Sequence, residues 1–183
     1  MNAYTIIDEK QIDSTREHFS DLNAMNELLD EAANSGIEAS VSPGELYAFA
    51  LGAVAANADK VQRALQVNAN IRATFQDFLQ KVSEFHLPQA IAASTADVDV
   101  REGPQCKISI EPSQANPDQV YVIVELAGGE ASQPKAMHLM GTGNSYLRVA
   151  LPEFHDGIAQ LIEERASEIV ALLRDPDTEV FLK

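Results

Sequence analysis

The sequence predicts an α+β protein: an N-terminal helical bundle followed by a small antiparallel β-sheet region with one or two C-terminal helices. Three observations carry that expectation. Apolar residues recur at intervals of three and four from Phe19 to Phe85, the period of an amphipathic helix. From Cys106 to Leu151 the period falls to two, the mark of half-buried strands. After Pro152 the helical intervals return, in Ile158, Leu161 and Ile162 and then in Ile169, Val170, Leu172 and Leu173. The small, polar stretch between Pro88 and Pro104 divides the chain into a helical domain, 1–98, and a sheet-containing domain, 99–183.

Met1 to Ile12 reads as an extended arm with a short strand at Tyr4 to Ile7. Ser14-Thr15-Arg16-Glu17 is a capping box, in which hydroxyl and carboxylate each satisfy an orphan backbone N–H. Phe19, Leu22, Met25, Leu28 and Leu29 follow on one helical stripe, opposite Asp21, Glu27, Asp30 and Glu31, and Gly36 offers a stop. That stripe has two uses: packing on the helices that follow, or docking on a partner. In the second use Phe19, Leu22, Met25, Glu27, Leu29, Asp30 and Glu31 form the predicted partner-binding surface.

Ser42, Pro43 and Glu45 make a second capping box with proline at the first helical position. Leu46, Phe49, Ala50, Ala53 and Val54 continue it, with Gly52 weakening the helix by about 1 kcal/mol relative to alanine. A short helix carries Val61, Ala64 and Leu65, Asn68 and Asn70 punctuate, and a third carries Ile71, Phe75, Phe78, Leu79, Val82 and Phe85. Pro88 predicts a break near Leu87. In the second half, Cys106, Ile108 and Ile110 alternate with polar residues, and Val120 to Leu126 reads as a central strand. Ala136 to Met140 and Tyr146 to Leu151 flank Gly141-Thr142-Gly143-Asn144, which suits a hairpin turn because Gly and Asn tolerate positive φ. Thr178 to Leu182 is a last strand, expected at the sheet edge.

Composition narrows the function. The chain has 183 residues, 45% of them apolar, and no tryptophan, enough to bury an aliphatic core. Its single cysteine, Cys106, has no internal disulfide partner, which favours a reducing, cytoplasmic setting. No apolar run is long enough for a membrane span. The net charge is −15, and residues 1–40 carry nine acidic against two basic residues. Direct nucleic-acid binding is therefore not expected, because it needs cationic surface to displace counterions. An acidic face suits a partner with a basic surface; acidity also serves solubility alone.

Catalytic patterning is thin. His18, His86, His138 and His155 lack metal-ligand spacing, although His138, Cys106 and His155 can be imagined meeting across the sheet. His155-Asp156 reads as loop and helix-cap chemistry. Ser145 lies in no nucleophile elbow, and the Gly141–Asn144 run lacks the ending of a phosphate loop. No catalytic residue, cofactor or metal is nominated.

One resemblance bears on function. Leu46-Tyr47-Ala48-Phe49 with Gly52-Ala53-Val54, then Ala64 to Arg72, resembles the N-terminal helical domain of bacterial anti-sigma factors. Ala64 stands where that family has a zinc-binding histidine, and Asn68 and Ile71 where it has two cysteines, so the similarity is to a zinc-less form held by apolar packing. The resemblance covers about a quarter of the chain. It implies a cytoplasmic regulator that clamps a sigma factor. The expectation is thus a non-enzymatic regulatory protein that binds a basic protein partner, a sigma factor being the partner the resemblance implies. A small-molecule-binding or enzymatic protein with a pocket between sheet and helices stays open, as does an acidic assembly or secretion chaperone, expected to be dimeric.

Overall fold

Ser42 opens the first described helix, α1 (Pro43–Ala50), as its N-cap: its hydroxyl accepts from the Glu45 N–H, and the Glu45 carboxylate accepts from the Ser42 N–H at 2.7 Å. That bond, with the hydroxyl and Lys60 beside it, pulls the Glu45 carboxyl down to about 2. The computed structural model describes residues 41–51, 58–88, 98–127 and 133–183. Asn68 separates α2 (Ala58–Val67) from α3 (Ala69–Val82) by accepting from the Asn70 and Ile71 N–H groups at 3.0 and 3.1 Å. Such caps satisfy donors that a helix start leaves orphaned.

Eight strands follow among the described residues: β1 (Phe85–Leu87), β2 (Val100–Glu102), β3 (Cys106–Pro112), β4 (Gln119–Leu126), β5 (Ala136–Met140), β6 (Tyr146–Ala150), β7 (Ile158–Glu164) and, after the helix α4 (Glu168–Arg174), β8 (Glu179–Leu182). They form two four-stranded antiparallel sheets. The first has the order β1-β8-β5-β6 and the second β2-β3-β4-β7.

The first sheet lies between two cores. On one face Leu46, Phe49, Leu65, Ile71, Phe75, Phe78 and Leu79 from the helices meet Met140, Tyr146 and Phe181. On the other, Met137, Leu139, Val180 and Leu182 meet Ile108, Val122 and Val124 of the second sheet and Val170 and Leu173 of α4. Every residue of β5 is buried for this reason. Phe75 and Phe78 are wholly buried, and each contributes about 2–3 kcal/mol of transfer free energy.

Two buried arginines tie the layers. Arg72 on α3 donates to the carbonyls of Gly141 and Ser145, the latter at 2.7 Å, across the β5–β6 turn. Arg101 on β2 donates to Leu173 at 2.7 Å, to Thr178 at 2.8 Å and to Asp175, capping the C-terminal carbonyls of α4 and the turn into β8. Burial lowers both guanidinium pKa values, and for Arg101 nearby Asp175 opposes the shift. The fork geometry of arginine suits such multiple carbonyl capture.

The structure is α+β, and it corrects several finer expectations. Helices α1, α2 and α3 share a core with the first sheet and do not form a separate N-terminal bundle. The described strands form two sheets rather than the one small sheet region expected. Phe85 begins β1 instead of ending a helix, because it pairs with Leu182. Strand β8 runs between β1 and β5, not at an edge. Ile158 to Glu164 is strand, and the C-terminal region has one described helix, capped by Ser167. Asp156 and Gly157 have φ of 51° and 79°, the two positive values a tight hairpin turn needs. They fold His155 back on Ile158 and launch β7 along β4, so His155-Asp156 is no helix cap. The hairpin expected at Gly141–Asn144 is present, with Gly143 at φ 61° and the Gly141 N–H on the Ser145 carbonyl.

Candidate functional site

The two faces of the second sheet differ. Along β4, Val120, Val122 and Val124 are buried against the first sheet, while Tyr121, Ile123 and Glu125 alternate to the other side and stay partly exposed. Register extends that outer face in rows: Tyr121 beside Glu111 and Ile162, Ile123 beside Ser109 and Gln160, Glu125 beside Lys107 and Ile158. On β2, Val100 and Glu102 join the Ser109 and Lys107 rows. Val100 is 47% exposed, Ile158 46% and Ile162 60%. None of these apolar residues belongs to either core.

This face has an aliphatic and aromatic centre with an acidic frame of Glu102, Glu111, Glu125 and Glu164. Lys107 is the cation among its register rows, and it lies 3.8 Å from Glu125. Glu163 turns to the inner side of the same margin, where burial raises its pKa, Glu164 raises it further and a Ser167 hydrogen bond opposes. An apolar centre inside a polar rim is the anatomy of a protein interface. Large exposed apolar patches mark binding sites.

The remaining titratable clusters are structural. His138 projects from β5 into the helix-facing core, where its Nδ1 lies 2.9 Å from the Tyr146 hydroxyl and its ring meets Phe49 and Phe75 edge-on. Burial, helped by Arg148, depresses its pKa to about 3, and the Ala50 backbone opposes. His86 stacks on Phe181 at 4.4 Å and approaches Glu179 at 3.4 Å, and Gln76 of α3 donates to the same carboxylate. Cys106 faces the space between the sheets, its thiol pushed up to about 12 by burial. It borders an open recess of about 270 Å³ with Glu84, His86, Gly103 and Gln105.

His138, Cys106 and His155 do not meet. His138 points toward the helices, Cys106 lies between the sheets, and His155 is exposed at the turn before β7. Among the described residues no group of three or more His, Cys, Asp or Glu is placed to hold a metal. Of the residues in the anti-sigma-like stretch, Ala64 and Ile71 are buried in the helix-facing core and Asn68 is a cap. The predicted surface of Phe19, Leu22, Met25, Glu27, Leu29, Asp30 and Glu31 lies outside the described residues, as do the arm at 1–12 and Gly52.

The sequence places β4 as a central strand but not the outer face, because the spacing of Ile158 and Ile162 predicts a helix where the structure has strand. The signal that finds it is the dipeptide Asp156-Gly157, a strong hairpin former. No helix among the described residues is long and apolar enough to cross a membrane. Comparison with protein-family models, with curated proteins and with solved structures finds no match.

Proposed function

We propose that the protein is a non-enzymatic regulatory protein that acts by binding a protein partner with a basic surface. The observation that carries this reading is the outer face of the second sheet, where Tyr121, Ile123 and Ile162 are framed by Glu102, Glu111, Glu125 and Glu164. An acidic rim steers a cationic partner into register, and the apolar centre supplies the area that holds it. The net charge of −15 acts in the same direction at longer range. The resemblance of residues 42–85 nominates a sigma factor as the first partner to try.

The test is affinity isolation of the tagged chain from its native lysate at low and high salt, run beside an Ile123→Asp variant. A single stoichiometric basic partner, released by salt and lost in the variant, supports the reading. The same partner retained by Ile123→Asp moves binding away from this face, and recovery of the chain alone overturns the reading.

A further inference from the structure

The exposed edge of β7 extends the proposed binding face into main-chain chemistry. In an antiparallel ladder, successive residues direct their N–H and C=O alternately toward the partner strand and away from it. The Leu126 N–H donates to the Gly157 carbonyl, and the Arg165 N–H to the Asp118 carbonyl, both at 2.8 Å. These two bonds fix the phase. Residues 159, 161 and 163 exchange hydrogen bonds with β4, and residues 158, 160, 162 and 164 turn their backbone groups outward.

At the ends of β7 three outward groups are occupied. Ile158 exchanges both of its bonds with His155 at 2.9 Å, and the Glu164 carbonyl accepts from Ser167. Between them, the N–H and C=O of Gln160 and Ile162 have no partner among the described residues, and β7 is the last strand of its sheet among those residues. The register against β4 runs through all seven residues without a slip. No proline or bulge interrupts it, although these are common means of blunting an edge. Such an edge is a template for one more strand.

We infer that β7 accepts an extended segment of the partner as a fifth, antiparallel or parallel, strand of the second sheet, and that this segment alternates aliphatic with lysine or arginine residues. The inference rests on the partner-binding reading given above and specifies how that partner docks. Its chemistry follows from what borders the lane. Ile158 and Ile162 offer aliphatic neighbours on the outer side, while Glu163 and Glu164 cluster at one end. Cross-strand pairs of opposite charge stabilise a sheet and like charges oppose it. A second copy of this chain fits less well, because it brings another net charge of −15 to an acidic margin.

The position of Ile162 supplies a clean test. Its N–H points away from β4, so proline there removes no bond of the existing ladder yet denies the edge to a new strand. The probe is a fluorescent synthetic peptide of about eight residues alternating valine and lysine, with a valine–glutamate peptide as control. Fluorescence anisotropy with the full chain should show the lysine peptide binding at least about tenfold more tightly than the control, and Ile162→Pro should weaken it by at least about tenfold. Equal binding of the two peptides, or unchanged binding by Ile162→Pro, overturns the inference. So does a wild-type dimer in sedimentation that Ile162→Pro converts to monomer, since a second copy then holds the edge.

Should Ile162→Pro melt differently from wild type, amide exchange on the unmodified chain replaces it. The Gln160 and Ile162 amides should gain at least about tenfold protection with the lysine peptide, and no gain overturns the proposal. A native partner that Ile162→Pro retains and Ile123→Asp loses overturns strand addition alone, leaving the binding face intact. Retention by both variants overturns the two together.

Discussion

The Nδ1 of His138 lies 2.9 Å from the hydroxyl of Tyr146, and both side chains are wholly buried between the helices and the first sheet. His138 pairs directly with Arg148 across β5 and β6, and Tyr146 with Met140, so the contact is diagonal, within reach of long side chains. Removing one partner costs more than removing both, because a lone buried polar atom keeps its desolvation penalty. Tyr146→Phe should destabilise the fold by about 1–3 kcal/mol. The double variant His138→Phe with Tyr146→Phe should recover part of that loss, as read from urea denaturation midpoints.

The same histidine gives stability a pH dependence. Its folded pKa of about 3 lies below the value near 6.5 of an unfolded chain. Between those values the unfolded state binds a proton that the folded state refuses, so stability rises with pH across the window. The contribution is fully present above about pH 6.5 and is lost as pH falls toward 3, at about 1.4 kcal/mol per unit. Thermal melts from neutral to acid pH should show this slope, and His138→Phe should flatten it by several kcal/mol over the whole window.

Arg101 and Arg72 should be costly to remove, and lysine should not replace them. Arg101→Leu leaves the Leu173, Asp175 and Thr178 carbonyls without their donor, a loss of about 3 kcal/mol. Arg101→Lys should recover less than half of it, since an ammonium lacks the planar fork. Arg72→Met should cost about 2–3 kcal/mol through the Gly141 and Ser145 carbonyls. Chemical denaturation of each variant checks the order.

Gly157 has φ 79°, and a Cβ there would stand 3.0 Å from the Leu126 carbonyl oxygen. Gly157→Ala should therefore destabilise by about 1–3 kcal/mol, combining left-handed strain with a contact against backbone that cannot swing away. Gly143→Ala, at φ 61° with open space around its Cβ position, should cost only about 1 kcal/mol. A comparison of melting temperatures separates them.

Cys106 is 5% exposed and its thiol is raised to about 12. The thiolate is the reactive species, so a maleimide at neutral pH should label the native chain slowly. Labelling should accelerate with denaturant along the unfolding transition. Fast labelling of the native protein would contradict the burial of this thiol between the sheets.

Local chemistry alone determined part of this protein. The capping box of Ser42 and Glu45, the Asn68 punctuation, the β-prone run from Val120 to Leu126 and the turn at Gly141–Asn144 all rest on residues close together in the chain, and each stands in the structure where the sequence placed it. Phe85 and the run from Ile158 to Glu164 did not yield to such reading. A short apolar run satisfies helical and strand periods equally, and what decides is a distant strand with free hydrogen-bonding groups. Leu182 decides Phe85, and β4 decides β7. The placement of β8 inside its sheet, the burial of His138 and the outward-turned backbone groups of Gln160 and Ile162 are likewise properties of pairing across the chain. They belong to the tertiary structure because backbone groups must find partners wherever burial puts them.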